Sequence, residues 1–197
     1  TSRELRRPTV RPGTHLMHKE SAVQQYVMQF FNGVGGNESN RDRYAAYLLS
    51  HVIGDEVGSR FYWELLDPGH ADSCGFSMIE YTDTGVYVVA LSCAPEKVRE
   101  NMQRIEAILE DIQSHGISEE ELVRNRTKVL SRSVLANESP RNRLFTFGNE
   151  WLQERKYYTI REELDFVRNV TIDDVNAVLA KYPFQNPCTI SVGPMME

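Results

Sequence analysis

The sequence is poor in the residues that staple a small fold or metallate it through thiolates. Its three cysteines, Cys74, Cys93 and Cys188, stand far apart in 197 residues with no C-x-x-C. That excludes a disulfide framework or a thiolate zinc site and leaves them as small core residues. Long apolar runs are also missing. No stretch approaches the roughly 18 to 20 residues that cross a bilayer, and residues 1 to 20 lack the apolar centre of a secretory signal. A soluble protein with no membrane partner is expected, cytoplasmic or periplasmic. Positive charge is in deficit: 22 Lys and Arg face 28 Asp and Glu, for a net charge of −6. A nucleic-acid partner is therefore not expected, because phosphate binding needs a broad basic face.

The motifs of hydrolytic and phosphate chemistry are absent as well. The five histidines, His15, His18, His51, His70 and His115, include no H-x-x-E-H or its inverse, the spacing that puts two imidazoles on one helix face. His15 and His18 with Glu20 come nearest, but in a strand residues three apart point to opposite faces. There is no G-x-S-x-G elbow, and Cys74 beside Asp72 and Ser73 has no assignable base. The glycines of GVGGNE at 33 to 38 lack the G-K-[ST] ending of a phosphate loop. The expectation is a chain with no catalytic centre, metal site or bound cofactor of its own.

What the sequence does contain is the make-up of one globular domain, 41% hydrophobic and 25% charged, long enough to bury its own core. It starts at Thr1, and a segment of a longer polypeptide is expected. Residues 1 to 15, with Arg3, Arg6, Arg7 and Arg11 between Pro8 and Pro12, read as a linker or tail, and 16 to 197 as a single domain. Residues 15 to 31 read as one long strand with Ala22, Tyr26, Met28 and Phe30 on one face. The cluster NGVGGNESN ends it.

An amphipathic helix over 40 to 53 follows, closed by Gly54, and then a short second helix, SRFYWELLD, up to Pro68. FSMIEYT and GVYVVALSCA around an Asp-Thr-Gly turn predict an antiparallel hairpin. Behind Pro95, Val98, Met102, Ile105, Leu109 and Ile112 step at helical spacing to Gly116. Four start signals predict four more helices: the capping box Ser118 to Glu121 with Ile117 and Leu122 as staple, Ser139-Pro140, Thr159 with Glu162, and Thr171 with Asp174. The acidic pairs in these first turns complement the helix dipole and need no acid–base role. A closing strand alternates Cys188, Ile190 and Val192. The order predicts an α+β domain, a mixed and largely antiparallel sheet covered on one face by helices.

Six pieces in this order carry a resemblance: Gln24-Gln25 on the first strand, RDRYAAYLLSHVIG, GSRFYWELLDPGHA, YTDTGVYVVA, then GISEEELVRNRTK with NESPRNR, and VTIDDVNAVL with the closing SVGP. Over roughly 16 to 194 the chain resembles the later domain of a domain pair in the pitrilysin/insulinase family of zinc metallopeptidases, to which mitochondrial processing peptidase and the core subunits of the cytochrome bc1 complex also belong. The resemblance implies a domain without the zinc motif, which belongs to the first domain of such proteins. It implies zinc in a partner domain of the same or another chain, and a chamber that closes around a peptide.

Several relatives carry an arginine and, seven residues on, a tyrosine that help hold substrate. Here Leu65 and Asp72 stand at those positions, so both polar roles are replaced. Arg60 matches a family position, and its expected job is to fix the turn by hydrogen bonds to carbonyls. Ser59, Arg60 and Asp72 are the candidate substrate contacts. The function expected is the non-catalytic C-terminal half of such a peptidase. The alternatives are a scaffolding domain of the same fold whose peptidase role is lost, and an unrelated α+β interaction domain.

Overall fold

The computed structural model describes residues 8 to 194; Arg3, Arg6 and Arg7 of the basic cluster lie outside the described residues. Five strands form one sheet: β1 (Gly13–His18), β2 (Gln25–Gly33), β3 (Ser73–Glu80), β4 (Gly85–Cys93) and β5 (Cys188–Gly193). Their spatial order is β1-β5-β2-β4-β3. Only β1 and β5 pair in parallel; every other pairing is antiparallel. The helices are α1 (Asn40–Gly54), α2 (Val98–His115), α3 (Glu119–Asn137), α4 (Pro140–Glu154), α5 (Ile160–Arg168) and α6 (Ile172–Lys181). The α+β class expected from the element order is the one observed.

The start signals work as capping chemistry requires. Ser118, Thr159 and Thr171 each accept from the backbone N–H three residues on, while Glu121, Glu162 and Asp174 reach back to the cap N–H, which satisfies donors the helix cannot satisfy internally. Ser139 caps α4 with Pro140 in its first turn. Gly116 ends α2 at φ +74°, a left-handed value that glycine adopts without a Cβ clash.

The single strand expected over 15 to 31 is two strands. Lys19, Glu20 and Ser21 make a turn in which Ala22 N–H donates to the Lys19 carbonyl at 3.0 Å. The chain reverses there, so β1 and β2 flank β5 from opposite sides. Pattern alone hides this break, because the polar turn is short and β1, exposed along its whole length, has no inward–outward alternation to mark where it stops. β1 begins at Gly13, inside the stretch read as linker, and Val10 N–H donates to Asn32 Oδ1 at 2.8 Å.

The core lies between the sheet and α1, α2, α3, α5 and α6. Val27, Phe31, Tyr87, Val89, Leu91, Cys93, Cys74 and Phe76 on the sheet meet Leu48, Leu49, Val52, Ile105, Ile112, Leu122 and Val178. Burying such side chains is worth about 1.5 to 3 kcal/mol each before chain entropy is counted. α1 lies so close to β3 that a Cβ on Gly54 would collide with the backbone of Phe76. Tyr26, Met28 and Phe30 do share a face, as their alternation requires, but it is the face that, among the described residues, carries no helix. Tyr26 is 50% exposed and Met28 41%.

Candidate functional site

The segment from Gly54 to Phe76 joins α1 to β3, and its polar side chains decide its shape. Asp55 follows the end of α1, is buried, and collects cations from another element. Lys128 Nζ lies 2.5 Å from Asp55 Oδ2 and Arg132 Nη1 lies 2.9 Å from Oδ1, both from α3. The four-residue spacing of Lys128 and Arg132 puts them on one helix face. His51 Nδ1 stands 3.6 Å from the same carboxylate. Burial alone would raise the Asp55 carboxyl, but hydrogen bonds from Arg132, Lys128 and the Glu56 backbone outweigh it and hold it far below the usual carboxylate range. His51 is pushed down from its ordinary value, first by burial and against the pull of Asp55.

Ser59 comes next, 1% exposed. Its hydroxyl donates to the Asp55 carbonyl at 2.7 Å and accepts from Tyr62 N–H at 3.1 Å. The short helix expected here is present with π geometry over Tyr62–Leu66, because Asp67 N–H reaches back five residues to the Tyr62 carbonyl at 2.9 Å. Leu65 points into the core at 0% exposure, and its carbonyl accepts from both His70 and Ala71 N–H.

Arg60 turns away from the sheet toward the helices. Its Nε donates to Glu121 Oε1 at 2.8 Å and its Nη2 to Glu121 Oε2 at 3.1 Å, while Nη1 donates to Asp111 Oδ2 at 2.6 Å. One carbonyl, that of Gly116, accepts at 3.4 Å. Arg60 therefore fixes the turn, as expected, but chiefly through carboxylates on α2 and α3 rather than through carbonyls. Its guanidinium is raised above its ordinary value first by the Glu121 hydrogen bond. Asp72 is exposed at the head of β3, where its N–H donates to the Ser92 carbonyl at 2.9 Å. The three candidate contacts thus do not converge: Ser59 lies under the turn, Arg60 between helices, and Asp72 at the sheet.

Among the described residues no group of three or more His, Cys, Asp or Glu side chains could hold a metal ion. His15 and His18 are exposed on the edge strand β1. Cys74 and Cys93 are buried and unbridged and Cys188 half-buried, in keeping with core packing. Burial pushes the Cys74 thiol up to about 12. Among the described residues no helix is long and apolar enough to cross a membrane.

The helix-free face of the sheet is the feature the linear reading left without a role. Cross-strand register sets Met28 between Ile190 and Ala90, and Tyr26 between Val192 and Ser92. With Ile190 37% exposed, these side chains form an apolar strip across three strands. The alternation of Tyr26, Met28 and Phe30 was its available signal.

The model of the peptidase M16 inactive domain matches residues 2–129, more than half of the chain. The chain belongs to this family. As an M16 inactive domain it is similar to an uncharacterized zinc protease of Mycobacterium tuberculosis, 28% identical over 137 residues that cover 69% of this chain and 31% of the relative. In fold it is similar to the peptidase M16 inactive domain from Pseudomonas fluorescens, with TM-score 0.86 and 14% identity over 99% of this chain and 47% of that one. It is also similar to the inactive peptidase domain of a Bordetella parapertussis protein, with TM-score 0.73 and 19% identity over 87% of this chain and 93% of that one. The M16 chain spans about a third of the length of the curated relatives it matches. It is an inactive M16 C-terminal domain of zinc protease-like proteins.

Proposed function

We propose that this domain is the non-catalytic half of a pitrilysin-type zinc metallopeptidase and supplies a wall and peptide contacts to a chamber whose zinc belongs to a companion domain. The observation that carries this reading is the apolar strip Tyr26, Met28 and Ile190 on a sheet face without helices, in a chain of the M16 inactive-domain family. Such a face suits extended peptide, because alternate side chains along a strand can rest on a flat apolar surface while the substrate backbone stays hydrated. Asp72, exposed just before β3, is one residue out of step with Ser73, which pairs with Ser92 on the face of the strip, so its carboxylate lies outside this surface. Peptide substrate and zinc-bearing partner both belong to this proposal.

The test is reconstitution. The chain alone should retain no zinc by mass spectrometry and cleave no fluorogenic peptide, while adding an H-x-x-E-H domain encoded with it should yield hydrolysis that Met28→Lys lowers at least fivefold. Stoichiometric zinc and cleavage by the isolated chain would overturn the reading. A scaffolding role is the second reading, favoured by Leu65, which fills with a fully buried apolar side chain a position where relatives hold substrate with arginine. It is the one left if the reconstituted pair is stable and hydrolyses nothing.

A further inference from the structure

Strand β1 borders the sheet and is open along its outer edge. It pairs with β5 alone, and that pairing fixes which backbone groups are used. Gly13 N–H donates to the Pro187 carbonyl at 3.3 Å, and Lys19 N–H donates to the Gly193 carbonyl at 2.7 Å. In a strand every second residue turns its N–H and C=O to the same side, so Gly13, His15, Met17 and Lys19 turn theirs to β5. Those of Thr14, Leu16 and His18 point outward, and among the described residues none of them has a partner. Nothing covers the side chains either. All of β1 is exposed, Leu16 by 54% and Met17 by 63%. Folded proteins blunt such an edge with a lysine, a proline or a bulge within the strand. GTHLMH carries none of these, and no Asp, Glu, Lys or Arg lies between Arg11 and Lys19.

We propose that this edge pairs with the same edge of a second copy of the chain, antiparallel and centred on Leu16. The outward groups are spaced symmetrically about that residue. A two-fold axis at Leu16 sets Leu16 opposite Leu16, and Thr14 of each copy opposite His18 of the other. In each such pair the two residues exchange both N–H···O bonds, so every outward group finds a partner and the contact closes on itself. On one face the two Leu16 side chains meet. On the other, His15 faces Met17 of the second copy, and cross-strand pairs of this kind stabilise a sheet. The chain's own ends do not reach this edge. Ahead of β1 the chain is held beside the β2–β4 end of the sheet, where Val10 N–H donates to Asn32 Oδ1 at 2.8 Å and Thr84 Oγ1 donates to the Pro8 carbonyl at 3.1 Å. From β4 to a position outside β1 is four strand spacings of about 4.8 Å. That crossing takes most of the roughly 25 Å which the seven residues before Pro8 could span, and leaves too little to run along Thr14 to His18. The three residues after Pro194 are fewer still.

The test is sedimentation equilibrium of the 197-residue chain over rising concentration, with amide exchange followed residue by residue by NMR. Strand pairing of this length buries less than about 1,200 Å2, the range of weak contacts, so the mass should double only toward high concentration. As it does, the Thr14, Leu16 and His18 amides should slow at least tenfold, while those of His15 and Met17, already given to β5, slow far less. Leu16→Pro removes a donor that β5 does not use and so keeps the ladder to β5; it should raise the Kd at least tenfold at unchanged circular dichroism. If that variant misfolds, Leu16→Lys takes its place, because it sets two lysines directly opposite each other and its effect should shrink as salt is added. A doubled mass with the outward amides still fast, or a wild-type Kd in a folded variant, puts the contact elsewhere and overturns the inference. Outward amides already slow at the lowest concentration overturn it in favour of an edge covered within one copy. A chain that is monomeric throughout overturns it as well, in favour of a peptide occupant if an added peptide of scrambled GTHLMH sequence slows the same amides.

Discussion

Arg60 and Glu121 form a two-pronged pair, Nε to Oε1 at 2.8 Å and Nη2 to Oε2 at 3.1 Å, while Glu121 Oε2 also accepts the Ser118 N–H at 2.8 Å. One carboxylate thus locks the turn after α1 to the capping box of α3. Its own tendency to rise on burial is overcome by hydrogen bonds from Arg60 and Ser118, which hold it below its ordinary value. Arg60→Ala should destabilise the chain by about 2 kcal/mol, a Tm drop of roughly 4 to 8 °C at this size. Arg60→Lys keeps the charge but loses the planar fork, and should cost about half as much in urea melts.

Acid stability follows from groups whose folded values are depressed. For Asp55 and Glu121 the unfolded chain binds the proton more readily, so their stabilisation is complete above about pH 5 and disappears as pH falls toward the folded values. His51 is depressed too, so its contribution is present above about pH 6.5 and begins to fall below it. Urea midpoints measured from pH 7 to pH 3 should decline in two stages. His51→Gln should flatten the upper stage and Asp55→Asn the lower. At pH 7 Asp55→Asn should cost about 2 kcal/mol, below the full value of a buried pair because Arg132 is 46% exposed.

The approach of α1 to β3 leaves no room for a methyl group at Gly54. A Cβ there meets the backbone N and the Cβ of Phe76, and backbone cannot swing aside as a flexible side chain can. Gly54→Ala, otherwise favourable in a helix, should lower stability by about 3 kcal/mol or leave the chain insoluble. A Tm equal to that of the native chain would contradict this packing.

Thiol accessibility separates the two faces of the sheet. Cys74 lies in the core, with its thiol pushed up to about 12 by burial, and Cys93 is raised by burial as well. Only the thiolate reacts with disulfide reagents. Cys188 is half-buried on β5, on the same face as Ile190. One thiol of three should therefore titrate rapidly at pH 8 and all three in urea, with mass spectrometry assigning the fast one to Cys188.

Local chemistry was enough to write the order of elements from α1 onward, though not the turn at Lys19 to Ser21 that separates β1 from β2. The caps at Ser118, Ser139, Thr159 and Thr171, the Asp-Thr-Gly hairpin and the helical step from Val98 to Ile112 are interactions between residues a few positions apart, so they can be read directly along the chain. The kinship of 53 to 76 with a peptidase family was legible for the same reason, since it resides in ordered short strings. What the linear pattern could not decide is which surface each pattern meets. Alternation grouped Tyr26, Met28 and Phe30 but is identical for a covered and an open face; the helices packed on the opposite side of the sheet settled it. Arg60 could find Asp111 and Glu121 only after α2 and α3 were placed. The apolar positions of α4, Leu144, Phe145, Trp151 and Leu152, read like those of any core-facing helix, and only the tertiary structure left them in water, because burial depends on partners distant in sequence.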